Sequence, residues 1–136
     1  MRRLTAEWVR KAEADKQVAE MLVKSKNRLN DAICFHCQQL TEKYLKALIQ
    51  ELGLAVPRIH DLEELLDRLL PHDATLRPLR RGLNRMTEYA VDYRYPGLRA
   101  TTRQVQSALR IANRVRQAIR KRLGLDKRRP RRKASP

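Results

Sequence analysis

The 136-residue chain has the length of one domain, and 42% of its residues are apolar, 4% are aromatic, and only four are glycine. This composition favours helices and leaves few turn residues for a β-sandwich. No apolar run approaches the ~20 residues of a membrane span, no signal-peptide-like segment follows Met1, and two cysteines three positions apart cannot form a disulfide framework. We therefore expect a cytoplasmic protein and exclude secreted and membrane-spanning classes.

The net charge of +16 is concentrated in the C-terminal half. Residues 1–75 hold twelve basic and twelve acidic side chains, whereas residues 76–125 hold thirteen basic side chains against two acidic ones. Residues 126–136 add six basic side chains and one acidic one. This asymmetry indicates a polyanionic partner for the C-terminal half. The alternative, a general effect on solubility, does not explain why one half is neutral.

Two long helices are predicted in the charge-balanced half. The first runs from about Thr5, its expected N-cap, to Lys24. Asp15 interrupts the apolar stripe of this helix, so we expect it to pair with a basic group of another helix. The second helix starts after Asn30 and ends at Gly53. Opposite its apolar side it carries a polar stripe of His36, Gln39, Lys43, Lys46 and Gln50.

Three further helices are predicted in the second half. The third begins at the capping-box sequence Asp61–Glu64. The fourth runs from about Leu76 to Tyr93, and its arginines 77, 81 and 85 are expected to face outwards. The last opens at a second capping box, Thr101–Gln104, and ends near Gly124. The face opposite its core stripe carries Arg103, Arg110, Arg114, Gln117 and Lys121.

Short connections between the helices predict an all-α fold, an up-and-down antiparallel bundle of four to five helices over residues 1–125. The remaining residues, 126–136, contain no apolar side chain larger than alanine. We therefore expect them to form a disordered basic tail.

Three separated blocks of sequence resemble the HEPN domain family. They are CFHCQQLTEKYLKAL at residues 34–48, PRIHDL at residues 57–62 and YAVDYRYP at residues 89–96. The resemblance covers about residues 5–124. It implies a helical bundle that is frequently a homodimer, is linked to RNA or nucleotides, and is often encoded beside a small nucleotidyltransferase in a toxin–antitoxin-like pair.

The resemblance also implies a ribonuclease motif that is incomplete here. Many members are metal-independent ribonucleases in which an arginine is followed, after four to six residues, by a histidine. Arg94 matches the arginine, but Arg99, Ala100 and Thr101 occupy the positions allowed for the histidine. Histidine, with an unperturbed pKa of ~6.5, exchanges protons near neutral pH, whereas arginine stays protonated. The motif therefore predicts phosphate binding by Arg94 and Arg99 without catalysis.

Other candidate residues have two interpretations each. His36 replaces the missing histidine if its helix face lines a cleft against Arg94, but a lone helical histidine is more often structural. His60 is expected to have a structural role at a helix start. Glu42 and Lys46, one turn apart, form either an exposed ion pair or, by the resemblance, part of the site.

No metal or cofactor is expected, because Cys34 and Cys37 lack a second pair of ligands and suit the core as small apolar residues. Tyr95 and its neighbours Tyr89 and Tyr93 are expected either to stack a base or to bury their rings in the bundle.

The sequence thus predicts a homodimeric protein that binds RNA or a nucleotide, does not act as an enzyme, and has a nucleotidyltransferase partner. One alternative is a metal-independent ribonuclease toxin that uses His36 and Arg94, and another is a structural helical adaptor. The missing histidine and the one-sided charge favour binding. The predicted binding residues are Arg94, Arg99, Tyr95, Glu42, Lys46, Arg103, Arg110, Arg114 and Lys121.

Overall fold

A computed structural model describes residues 1–27 and 29–126. Within them lie five α-helices and one 3₁₀ helix, and no strand occurs, so the predicted all-α fold is confirmed. Of the predicted disordered tail, residues 126–136, Asp126 accepts a hydrogen bond from Arg120 over 2.9 Å, and residues 127–136 lie outside the described part. The helices are α1 (Arg3–Lys24), α2 (Asn30–Glu51), α3 (Leu62–Leu69), the 3₁₀ helix (Ala74–Leu79), α4 (Arg80–Arg94) and α5 (Thr102–Arg122).

Helix α2 lies at the centre of the bundle. It packs against α1, α3, α4 and α5, and 13 of its 22 residues are buried. Tyr44, Leu45 and Ile49 are completely enclosed. Because neighbours cover α2 on several sides, the polar residues on its surface also become buried and need partners inside the protein.

Side-chain contacts show that neighbouring helices run antiparallel. At the start of α1, the Thr5 hydroxyl donates to Glu51 at the end of α2 over 3.0 Å. Between α4 and α5, the Asp92 carboxylate accepts from Gln104 over 2.7 Å near the end of one helix and the start of the other. The up-and-down arrangement expected from short connections is therefore present in both pairs.

The ends of three predicted helices can be compared with the structure. Thr101 and Gln104 form both bonds of a capping box, with distances of 3.1 and 2.9 Å, as predicted. The prediction for Thr5 as N-cap is wrong, because α1 already begins at Arg3 and Thr5 is buried within it. The predicted start of the fourth helix at Leu76 is also wrong. Pro78 has no N–H to donate, and its segment forms the 3₁₀ helix before α4 begins at Arg80.

The Glu13 carboxylate of α1 joins three helices. It accepts from the Tyr44 hydroxyl of α2 over 2.7 Å and from Arg116 and Arg120 of α5 over 2.7 and 2.9 Å. Burial alone would raise the pKa of Glu13, but the hydrogen bonds from Arg116 and Tyr44 and the positive charges outweigh it, so the pKa lies below 4.5. Glu13 is therefore ionised in the folded protein at neutral pH.

We expect Glu13→Gln to lower the free energy of unfolding by about 1–3 kcal/mol near neutral pH, because two arginines lose a charged acceptor. Since folding lowers the pKa of Glu13, the stabilisation is present above the unfolded value of 4.5 and disappears as the pH falls through the folded pKa. Urea unfolding of both proteins should therefore show a smaller difference in acid.

The control for this measurement is Glu7→Gln on the same helix, where Glu7 is 45% exposed and lies 3.9 Å from Arg10. An exposed pair of this kind contributes about 1 kcal/mol or less. An equal loss of stability at both positions would contradict the assigned role of Glu13.

Candidate functional site

A groove of about 1290 Å³ lies between α4 and α5 and extends to the 3₁₀ helix. We call it the arginine groove. Leu79, Leu83 and Met86 point into the core, which leaves the arginines between them on the outer face of α4. The arginines that line the groove without a hydrogen bond or ion pair to any described residue are Arg77, Arg81, Arg85, Arg110 and Arg114.

The charge of the arginine groove is strongly positive. Its acidic lining residues are Glu63 and Glu88, and Glu63 lies 3.7 Å from Arg80, which also binds Asp67. Gly82 allows the two helices to approach, since a Cβ atom at this position would lie 3.0 Å from the Ile111 side chain. This close contact brings the arginines of α4 and α5 to one surface.

The predicted binding residues do not form a single site. Arg110 and Arg114 line the arginine groove, whereas Arg103 and Lys121 are exposed on α5 but do not line it. Arg99 is exposed beside the start of α2, in a separate hollow. The sequence showed that the C-terminal half is basic but did not show which arginines share a surface.

A further hollow, of about 320 Å³ and different from the one at Arg99, contains the predicted residues Arg94 and Tyr95. We call it the Arg94 hollow. Tyr95 is 62% exposed there, so its ring is not buried in the bundle. Tyr89 is half-buried and donates to Ser107 over 2.9 Å, and the Tyr93 side chain lies outside the described part. The hollow is also lined by Gln38, His60, Asp61, Thr87, Ala90 and Val91.

Glu42 and Lys46 form an ion pair, but the predicted exposure of that pair is wrong. The side chains are 5% and 6% exposed, and their charged atoms lie 3.2 Å apart. The Lys46 ammonium lies 5.6 Å from the centre of the Trp8 ring of α1, which covers this part of the polar stripe. The other Glu42 oxygen lies 2.9 Å from Nδ1 of His60. The pair thus lies beneath His60 and not on the surface.

His36 is bound on a different side of α2. Its Nδ1 atom lies 2.8 Å from the Asp15 carboxylate, which also binds Lys43 at 2.5 Å. This cluster confirms the expected pairing of Asp15 with basic groups of another helix. His36 is not among the residues that line the Arg94 hollow, where His60 is the histidine present. The predicted substitution of His36 for the missing histidine therefore lacks the contact with the Arg94 turn that it requires.

Comparison with known proteins places this architecture in a family. The profile of the HEPN domain matches residues 5–122. The chain belongs to the HEPN domain family. Membership supports a function connected with RNA or nucleotides, and HEPN domains often form dimers. Searches of curated proteins and of solved structures each gave no match.

His60 is the residue of this HEPN domain that sequence reasoning did not assign to a site. It follows Pro57 in the connection between α2 and α3, 34 positions before Arg94. The signal in the sequence was its place in one of the three family-like blocks. That it lines the same hollow as Arg94 depends on the packing of α4 against α2, which no local pattern specifies.

The two cysteines of the HEPN domain are core residues, as predicted. Cys34 and Cys37 are 2% and 0% exposed, and burial raises the pKa of the thiols to about 11 and about 12. Among the described residues, no three His, Cys, Asp or Glu side chains are grouped to hold a metal ion. In the same part of the chain, no helix is long and apolar enough to cross a membrane.

We expect both thiols to be unreactive towards a disulfide reagent in the native protein at mildly alkaline pH, because the reactive thiolate is suppressed and access is blocked. The reagent should label both cysteines after unfolding in guanidinium chloride. Measurement of the released thiolate by absorbance gives the number labelled. Rapid labelling of the native protein would show that the α2 core opens readily.

Proposed function

We propose that this HEPN domain binds RNA through the arginine groove. The observation that supports this function is the set of five arginines that line one groove and have no partner among the described residues. A guanidinium group matches the geometry of a phosphate and forms two hydrogen bonds with it. Family membership favours RNA as the polyanion.

The length of the groove favours a polymer over a single nucleotide. Arg81 and Arg85 are four positions apart on α4, which corresponds to about 6 Å along the helix, and Arg77 extends this row from the 3₁₀ helix. Arg110 and Arg114 form a second row on α5. These rows extend over several phosphates of a strand, whereas one nucleotide would use only part of them.

The described lining of the groove contains no aromatic side chain on which a base would stack. Recognition therefore depends on the sugar–phosphate backbone, and we expect little sequence preference. The net charge favours this function over that of a structural adaptor, because an adaptor has no need for five unpaired arginines in one groove.

We expect the affinity for single-stranded RNA to fall steeply with salt. If the five groove arginines each bind a phosphate, the slope of log affinity against log salt is about −3.5, and Arg110→Glu with Arg114→Glu should reduce it to about −2. The same double variant should weaken binding by ~10-fold or more at low salt. Fluorescence anisotropy with a labelled oligonucleotide measures both quantities.

The control is Arg3→Glu with Lys11→Glu, which changes the net charge equally at two exposed positions of α1. This variant should keep the slope and most of the affinity. Equal weakening by both double variants would show that the total charge, and not the groove, determines binding.

We also propose that the protein acts as a homodimer and as one component of a toxin–antitoxin-like pair with a nucleotidyltransferase. The proposal is supported by the dimers common in the family and by exposed apolar side chains around the Arg94 turn. Val91, Tyr95 and Leu98 are 52%, 62% and 48% exposed. A nucleotidyltransferase gene beside this one would support the pairing.

Sedimentation at micromolar concentration should give twice the chain mass of 16.0 kDa. Val91→Asp should shift the protein towards the monomer, because it places a charge in the proposed interface. Leu52 is 41% exposed and directly follows the last residue of α2. The control variant Leu52→Asp should leave the dimer intact. A monomeric wild-type protein would rule out the homodimer.

A further inference from the structure

The first half of α1, the last turns of α2 and the connection after α2 form the sides of a hollow of about 380 Å³. We call it the Trp8 hollow. It shares none of its lining residues with the arginine groove or the Arg94 hollow. Its volume lies within the range of small-molecule sites, which combine an apolar surface with a few polar groups. The Trp8 hollow contains both.

The apolar side chains that line the Trp8 hollow are Leu4, Trp8, Val56 and Pro57. Trp8 and Val56 are half-buried and pack against the core, whereas Leu4 is 45% exposed. An apolar group that covers these side chains removes their surface from water, which is favourable. The wide indole of Trp8 suits a flat group such as an aromatic ring.

The other lining residues of the Trp8 hollow carry an excess of positive charge. They are Lys11, Lys46 and Arg58, with Glu7 as the one acid and Gln50 as the one amide. Lys11 and Arg58 are exposed and have no hydrogen bond or ion pair to any described residue. This excess favours an anionic ligand and disfavours a cationic one.

Lys46 supplies a buried ammonium to the lining of the Trp8 hollow. Its side chain is 6% exposed, and its hydrogen-bond acceptor among the described residues is Glu42, at 3.2 Å. An ammonium has three N–H donors, and a buried donor without an acceptor costs free energy. A ligand oxygen in the hollow gives a further donor of Lys46 its acceptor.

We propose that the Trp8 hollow is a binding site for a small carboxylate with an apolar body, such as an aryl-alkanoate. The apolar body packs on Trp8, and the carboxylate accepts hydrogen bonds from Lys46 and from the guanidinium of Arg58. This site is separate from the proposed RNA function and does not depend on it.

The lining of the Trp8 hollow distinguishes this ligand from a nucleotide. The ribose hydroxyls and base edge of a nucleotide need hydrogen-bond partners once they leave water, and Gln50 is the one amide in the lining. An apolar carboxylate needs partners only at its two oxygens. A planar guanidinium such as that of Arg58 binds both oxygens through two parallel hydrogen bonds.

The test titrates the full chain with phenylpropionate, its neutral amide and adenosine monophosphate. Calorimetry should show that phenylpropionate binds with a Kd of about 1 mM or below, the usual affinity of so small a ligand. The amide should bind ~10-fold more weakly, because it lacks the charged acceptor, and the nucleotide should bind more weakly than the carboxylate. Trp8 is the only tryptophan of the chain, so saturation with phenylpropionate should also change the tryptophan emission.

Two variants of exposed lining residues test the two parts of the site. Arg58→Gln should weaken the binding of phenylpropionate by ~10-fold, because it removes a charged donor. Leu4→Asp should also weaken it, because a second carboxylate beside the apolar surface repels the ligand. Circular dichroism checks that each variant is folded, and either folded variant is sufficient for the test.

The matched controls are Arg103→Gln and Met21→Asp. Arg103 is exposed at the start of α5, and Met21 is 65% exposed near the other end of α1. Neither residue lines the Trp8 hollow. Both control variants should therefore keep the wild-type affinity for phenylpropionate.

Several results would overturn the assignment of a carboxylate site. They are an absence of saturable binding, an equal affinity for the amide, and tighter binding of adenosine monophosphate than of phenylpropionate. Equal weakening by the variants and their controls, or an unchanged Trp8 emission at saturation, would place the ligand outside the Trp8 hollow and overturn it as well.

Discussion

The burial of polar groups on α2 is the constraint on which the rest of the structure depends. This helix contacts four others, and Gln38, Thr41, Glu42 and Lys46 are all at most 5% exposed. Such groups are stable inside a protein only when neighbouring elements supply partners in fixed positions. Trp8 of α1 and His60 before α3 supply such partners to Lys46 and Glu42, and Arg120 of α5 supplies one to the Tyr44 hydroxyl.

Two contact networks meet this requirement, and they have different consequences. Glu13 joins Tyr44 to the arginines of α5 and links three helices of the bundle. Glu42 and Lys46 instead reach His60, which is exposed. The first network therefore stabilises the fold. The second holds a side chain in position at the surface, where a ligand has access to it.

The positive charge of the C-terminal half has two roles in the folded protein. Arg116 and Arg120 share the single charge of Glu13, Arg120 also binds Asp126, and Arg122 binds Asp73 at 2.6 Å. Acidic side chains of residues 1–75 thus form ion pairs with part of the excess basic side chains inside the bundle. The remaining arginines on α4 and α5 have no such partner among the described residues and define the arginine groove. The excess seen in the sequence is larger than the charge available to a ligand.

The sequence by itself determined the helical class, the capping box at Thr101 and the apolar faces of α3 and α5, because these depend on spacing along one helix. Only the tertiary structure decided the environment of Lys46. A stripe of polar residues does not say whether water or Trp8 covers it, and the exposed pair expected with Glu42 is in fact buried. The same applies to His60 and Arg94. Both line one hollow because of how α4 packs on α2, and the relative placement of distant segments is not encoded in the periodicity of either one.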